Sequence, residues 1–454
     1  MRSVSVIGLL TLVAAGCDGS PGPVDPVTPS IDVRLRQAIR NWGAVPIGDV
    51  ASQSPAMVAL GQALLFDRIL SGNRDVSCAT CHQMSRGATD GLSLAVGTGG
   101  TGTGLTREPG PGRAHVPRNA PTLLNVGLGG TYVFWDGRLN QGAPFGPPFV
   151  SAPTLPPLPV QPHILASQAL LPVLSREEMR GQAGDRDVFG AVNELAQLPD
   201  GDPSAIWRAV MARLTAIPEY VEMFRAAFPS VATAQLRFEH AAQAIAAFEL
   251  AALTRTNSPF DRYLARDDAA LSAEAKRGAL LFFGEAQCVT CHSGALLGGN
   301  QFANIGIPQL GPGSGQGKPL DFGFGETLNL TQYRFAFRVA PLRNVELTAP
   351  YMHDGAYATL DAVVRHYNDA VTSLRSFDPS QLAPSLRASY HGEPSTIEAV
   401  LSGLDFRLRR PMELTDAELG ELVTFLESLT DPTARDLSSL VPARVPSGLP
   451  IDRS

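Results

Sequence analysis

One pentapeptide pattern occurs twice in the chain, as Cys78-Ala79-Thr80-Cys81-His82 and as Cys288-Val289-Thr290-Cys291-His292. Cys-x-x-Cys-His is the attachment sequence of c-type haem. Two thiols add across the vinyl groups, and the next residue, on the same helical turn, offers its imidazole to the iron. Other uses of paired cysteines compete. Joint zinc binding does not need a histidine directly after both pairs. A thioredoxin-like motif needs a βαβ setting, which the chain lacks. Disulfides stay open to an exported protein. The trailing histidine in both copies favours two covalent haem c groups, held by Cys78, Cys81, Cys288 and Cys291, with His82 and His292 as iron ligands. The second motif starts 210 residues after the first, so each haem is expected to have its own domain.

The fifth cysteine belongs to the N-terminus. An apolar run over residues 4–15 follows Arg2 and leads into Ala14-Ala15-Gly16-Cys17. That is the layout of a secretory signal over residues 1–16, too short to stay as a spanning helix. The cysteine after Ala-Ala-Gly resembles a bacterial lipoprotein box, in which Cys17 is lipidated. The other reading is an ordinary signal peptide cleaved nearby. Residues 17–32 then form a Pro-rich tether. The working part is expected in the periplasm or at the cell surface, anchored to a membrane.

Composition narrows the classes further. The 454 residues allow two or three domains. With 44% hydrophobic residues a real core is available, and a net charge of −7 offers no basic face to nucleic acid. Lys276 and Lys318 are the only lysines. No apolar run reaches the roughly 20 residues of a membrane span.

Helical periodicity dominates where a pattern is visible. Residues 234–252 have apolar residues at helical spacing without Gly or Pro. Ser272 looks like the N-cap of a helix to Phe283, leading into the second haem motif. Residues 415–429 start with a capping Thr and form a closing helix. Residues 31–70 carry a similar amphipathic pair before the first motif. Alternating strands are scarce, so the fold class is mainly α: two cytochrome c-like haem domains with long Gly/Pro-rich loops. The domains are drawn at 33–257 and 258–431, with a tail at 432–454. Residues 97–112 hold seven glycines and read as a mobile flap or an idle surface loop. Residues 140–165 hold eight prolines and read as an insertion.

Five motifs in order, CATCH (78–82), RNAPTLLNVG (118–127), FWDGR (134–138), CVTCH (288–292) and PLRNVELTAPYMHDG (341–355), resemble the bacterial di-haem cytochrome c peroxidases and their MauG-type relatives. The resemblance covers about residues 33–430. It implies a peroxide-reacting haem in the first domain and an electron-transferring haem in the second. By this resemblance Trp135 lies between the haems and helps electrons hop. Gln168, Pro172 and Glu178 reproduce the family's pocket spacing of 0, +4 and +10. Glu178 would then move the peroxide proton while Gln168 holds the peroxide by hydrogen bonds. Asn119, Thr348 and Pro350 match positions that hold a calcium ion in the family; an Asn oxygen and two backbone carbonyls are suitable hard ligands.

Two positions depart from the typical peroxidase. That enzyme places a second histidine ligand sixteen residues after the first haem histidine. Here the position is Thr98, with His115 the nearest substitute, so an open haem-one iron is expected. Fourteen residues after the histidine of the HDG motif the peroxidases have Met, and the MauG-type group has Tyr. Here it is Tyr367, whose oxygen favours ferric iron; Met352 and His366 compete for the ligand position.

The implied function is reduction of hydrogen peroxide at haem one. Haem two would draw electrons from a small cytochrome c or copper protein, or from a side chain of a partner protein. The alternatives are a di-haem electron carrier without peroxide turnover, and a haem-containing sensing module.

Overall fold

The computed structural model describes residues 29–48, 50–128, 132–140, 158–159, 161–314 and 318–453. The signal segment, Cys17 and most of the Pro-rich stretch lie outside the described residues. The chain is mainly helical, in agreement with the expected fold class. Strand structure among the described residues is limited to two short antiparallel pairs, Tyr132–Val133 with Leu139–Asn140 and Phe302–Ala303 with Phe337–Arg338.

The helices that position the site are α1 (Ile31–Asn41), α2 (Pro55–Phe66), α3 (Phe238–Ala252), α4 (Ala273–Phe283), α5 (Leu360–Asn368) and α6 (Asp416–Glu427). Ser272 caps α4 by accepting from the Ala275 N–H at 3.0 Å, and Thr415 and Glu418 form a reciprocal capping box on α6. Helix α3 starts four residues later than the periodicity suggests. Thr233–Gln235 is a separate 3₁₀ turn, and the Arg237 N–H is taken by His240 Nδ1 at 3.0 Å, which fixes the helix start there.

The helix leading toward each haem motif crosses a late helix at a glycine. A Cβ on Gly61 of α2 would sit 1.9 Å from the Ala244 carbonyl oxygen in α3. A Cβ on Gly278 of α4 would sit 1.9 Å from the Glu421 oxygen in α6. Only glycine lets these backbones approach so closely. Around the first crossing, Leu64, Phe66, Ile245 and Phe248 form one core. Around the second, Phe260, Phe282 and Phe283 gather on Phe425, with ring centroids 5.1–6.1 Å apart.

Helix α1 packs on the half opposite to that drawn from sequence, and the tail, drawn apart from both halves, packs on the first. Leu35 and Ile39 of α1 join the second core, and Asp32 accepts from Lys276 Nζ at 2.7 Å and from the Tyr263 hydroxyl at 3.1 Å. Ala434, Leu437, Val445 and Leu449 of the tail join the first core. The tail is thus structural, and the boundaries at 33 and 431 do not follow the cores. Amphipathic spacing tells that a helix buries a face, not which helix covers it.

Candidate functional site

The two haem motifs are built alike. Ser77 N donates to Thr80 Oγ1 at 2.9 Å, opening the one-turn helix Cys78–Cys81, and His82 N closes it on the Cys78 carbonyl. His82 Nδ1 lies 3.1 Å from the Ala88 carbonyl, and His292 Nδ1 lies 3.1 Å from the Leu297 carbonyl. Each carbonyl belongs to a residue in the left-handed region, with φ 58° at Ala88 and 54° at Leu297, where the chain doubles back. A ring whose Nδ1–H is held by a carbonyl presents Nε2 as the ligand atom. Burial lowers the pKa of His82 and takes that of His292 down to about 4, so both rings are neutral.

The cysteine pairs border different cavities, one of about 150 Å³ beside His82 and one of about 420 Å³ beside His292. All four thiols are free. Among the described residues no group of three or more His, Cys, Asp or Glu could hold a metal ion. With the two pairs on different cavities, joint zinc binding by both is disfavoured. Arg338 borders the larger cavity, buried and without a carboxylate beside it, and burial pulls its pKa to about 10. Its Nε–H donates to the Phe134 carbonyl at 3.1 Å, and a cation kept there without a counter-charge fits the carboxylates that a haem carries.

Trp135 borders both cavities, as does Asn119. The indole Nε1 donates to the Asn119 carbonyl at 2.9 Å, and the Trp135 carbonyl accepts from Arg338 N at 2.7 Å. Next to it, Arg118 bridges Asp136 at 2.5 Å and Asp321 at 2.6 Å. This pairing overcomes burial and pulls the Asp136 carboxyl down to about 2. The RNAP and FWDGR motifs are thereby tied to the second half of the chain.

Gln168, Pro172 and Glu178 all border the smaller cavity with Cys78, Cys81 and His82. Gln168 Oε1 is buried without a hydrogen-bond partner. Burial raises the Glu178 carboxyl, with Arg138 opposing it in part. Of the eight histidines, only His82 borders this cavity. His115 stays outside it, and Thr98 is buried in a hydrogen-bonded turn. The loop around Thr98 is pinned: Arg107 donates to the Val96 and Gly97 carbonyls at 2.9 and 2.7 Å, and Arg113 pairs with Asp185 at 2.5 Å.

One carboxyl of this cavity was not anticipated. Glu249, on α3, borders it, and burial pushes its pKa up to about 8. Its signal in the sequence is a lone acid inside an otherwise apolar stretch, Ala246-Ala247-Phe248-Glu249-Leu250-Ala251-Ala252. Arg138 was likewise passed over as the last letter of FWDGR.

At the larger cavity Tyr367, on α5, shares the wall with Cys288, Cys291 and His292, and Met352 lies on the same wall. His366 does not border it. Its Nε2 lies 2.7 Å from the Ile305 carbonyl, and its Nδ1 is 2.9 Å from both the Tyr357 hydroxyl and Ser373 Oγ. Both ring nitrogens are occupied, so His366 is no competitor for iron. Asn119, Thr348 and Pro350 border this cavity together. The Asn119 amide donates from Nδ2 to the Leu92 carbonyl at 2.8 Å, which leaves its oxygen as an acceptor.

Comparisons with known proteins agree with this architecture. Residues 55–269 match the family described as "Di-haem cytochrome c peroxidase". The chain is 31% identical over 407 residues to methylamine utilization protein MauG of Methylorubrum extorquens, covering 89% of this chain and 87% of that protein. It is 33% identical over 296 residues to the cytochrome c551 peroxidase of Pseudomonas aeruginosa, covering 65% of this chain and 67% of that protein. Among solved structures, a MauG-like protein associated with microbial copper homeostasis superposes with a TM-score of 0.59 at 25% identity, over 88% of this chain and 95% of that one. The di-haem peroxidase BthA from Burkholderia thailandensis shares the fold, with a TM-score of 0.58 at 22% identity over 89% and 92% of the two chains. With two matched haem-attachment turns and a relative of this identity spanning most of its length, the chain belongs to the di-haem cytochrome c peroxidase family of oxidoreductases.

Proposed function

We propose that this protein reduces hydrogen peroxide in the cavity beside His82 and is supplied with electrons through the cavity beside His292. The observation that carries this reading is the meeting of Gln168, Pro172 and Glu178 in one cavity with His82 and no second histidine. Haem c on Cys78, Cys81 and His82 would supply the iron at which the O–O bond breaks, and haem c on Cys288, Cys291 and His292 would relay electrons.

The side chains around the first cavity do the proton work. Gln168 fixes the peroxide by hydrogen bonds, and Pro172 borders the space in which it lies. Glu178 takes the proton from one peroxide oxygen and returns it to the other, which leaves as water. A carboxyl raised by burial suits both directions of that transfer near neutral pH. Two electrons and two protons complete the conversion of peroxide to two waters. Trp135, on the wall shared by both cavities, supports an electron route between them.

Tyr367 is our choice for the second ligand at haem two, which makes this a MauG-like enzyme. It borders the cavity beside His292, and His366 has no free nitrogen. A calcium ion at Asn119, Thr348 and Pro350 is part of the same proposal. The electron source is a small cytochrome c or copper protein, or a partner protein whose side chain is oxidised. The protein works in the periplasm or at the cell surface, lipid-anchored at Cys17.

A carrier without peroxide turnover would have no use for the unpartnered Gln168 Oε1 beside a buried carboxyl. Low-temperature EPR on the diferric protein before and after one equivalent of peroxide tests the choice. One high-spin and one low-spin signal, both lost on mixing, are expected. Two low-spin signals indifferent to peroxide would overturn the reading.

A further inference from the structure

Glu178 sits on a single π-helical turn, Arg176–Arg180, whose backbone is held from two sides. The Met179 carbonyl accepts from Gly72 N at 2.7 Å, and the Glu178 carbonyl accepts from Thr98 N at 2.9 Å. The contact at Thr98 is close: a Cβ on the neighbouring Gly97 would lie 2.0 Å from the Glu177 oxygen and 2.5 Å from that of Glu178. Thr98 is in turn fixed by a single carboxylate. Asp75 accepts from Thr98 Oγ1 at 2.7 Å through one oxygen, and from Gly99 N at 2.6 Å through the other. Asp75 lies three residues before Cys78, so the chain Asp75–Thr98–Glu178 links the haem-attachment segment to an acid that borders the same cavity.

We propose that Asp75 and Thr98 are positioning residues for Glu178. The glycine-rich segment from Gly97 to Gly99 is a brace, not a flap. Two features support this. Both Asp75 oxygens are used on adjacent groups of one segment, which fixes its orientation as well as its distance. The brace meets Glu178 through the backbone and takes up neither carboxyl oxygen; Glu178 borders the cavity, with Ser175 as the hydrogen-bond partner of its carboxyl. A proton-transfer group displaced by about 1 Å loses much of its rate, so a fixed turn has direct value. The inference rests on the acid–base role proposed for Glu178.

The test uses the di-haem holoprotein, with stopped-flow peroxide kinetics and hydrogen exchange of the Thr98 and Gly99 amides. E178Q is expected to slow the peroxide reaction about 100-fold or more. D75A is expected to slow it about tenfold and to speed exchange of both amides, with D75N and T98V between D75A and the native protein. Because Asp75 acts through Glu178, D75A is expected to add nothing in an E178Q background. The brace is overturned by D75A reacting at the native rate while E178Q is slow, by native amide exchange in D75A, or by a D75A loss that persists in full beside E178Q. Native kinetics in E178Q would instead remove the acid–base role, and the positioning role with it.

Discussion

The Trp135 indole donates its Nε1–H to the Asn119 carbonyl at 2.9 Å, and these two residues stand in the wall shared by both cavities. The bond fixes the ring plane from RNAP, while the Arg338 N–H holds the Trp135 carbonyl from the second half of the chain. Under the proposed function, a ring so held between the two haem sites would pass electrons without moving.

Trp135→Phe keeps an aromatic ring, though a smaller one, and loses the indole and its hydrogen bond. The expected outcome is a holoprotein with both haems attached, in which one equivalent of peroxide removes only the high-spin EPR signal. Loss of both signals in this variant would mean that electrons pass by another route.

Tyr367→Phe should convert the haem-two spectrum from low-spin to high-spin, with haem attachment unchanged. Met352 shares the cavity wall, so an unaltered low-spin spectrum in the Tyr367 variant would direct attention to it.

The two glycine crossings give a stability prediction that is independent of chemistry. Gly61→Ala and Gly278→Ala each push a methyl into a carbonyl oxygen 1.9 Å away. Each is expected to destabilise the protein by about 1–3 kcal/mol, as overpacked cores do. Gly420→Ala, on the same α6 but with nothing within 4 Å of its added Cβ, should be neutral or slightly stabilising. Thermal denaturation of the holoproteins compares the three.

Glu249 gives a pH dependence whose sign can be worked out. Its folded pKa is raised to about 8 from an ordinary 4.5. The folded chain therefore holds a proton that the unfolded chain releases between those values, and stability falls as pH rises from about 4.5 to about 8. Glu249→Gln removes this loss. The variant should match the native melting temperature near pH 4 and exceed it increasingly toward pH 8. Parallel melting curves at all pH values would show that Glu249 keeps an ordinary pKa.

Much of the site was legible in the sequence because covalent chemistry fixes spacing. Cys78, Cys81 and His82 must lie on one turn, and so must Cys288, Cys291 and His292; the motif states this without any knowledge of the fold. The capped helices α4 and α6 were legible for a similar reason, since a cap and an apolar stripe are local properties. The start of α3 was missed because His240 caps Arg237, which is an unusual pairing.

What only the tertiary structure decided is which distant segments meet. Spacing alone could nominate Gln168 and Glu178, but their place in one cavity with Cys78 and Cys81 follows from packing around α2 and α3. His366 competed with Tyr367 on sequence alone; in the fold the Ile305 carbonyl and the Tyr357 and Ser373 hydroxyls surround its ring. The glycine segment after Gly97 read as loose because glycine is permissive in isolation; its order comes from Asp75, Arg107 and Arg113. The packing of α1 and the tail is of the same kind. Local periodicity tells a chain to bury a face, whereas the partner that covers it is fixed only when the whole core closes.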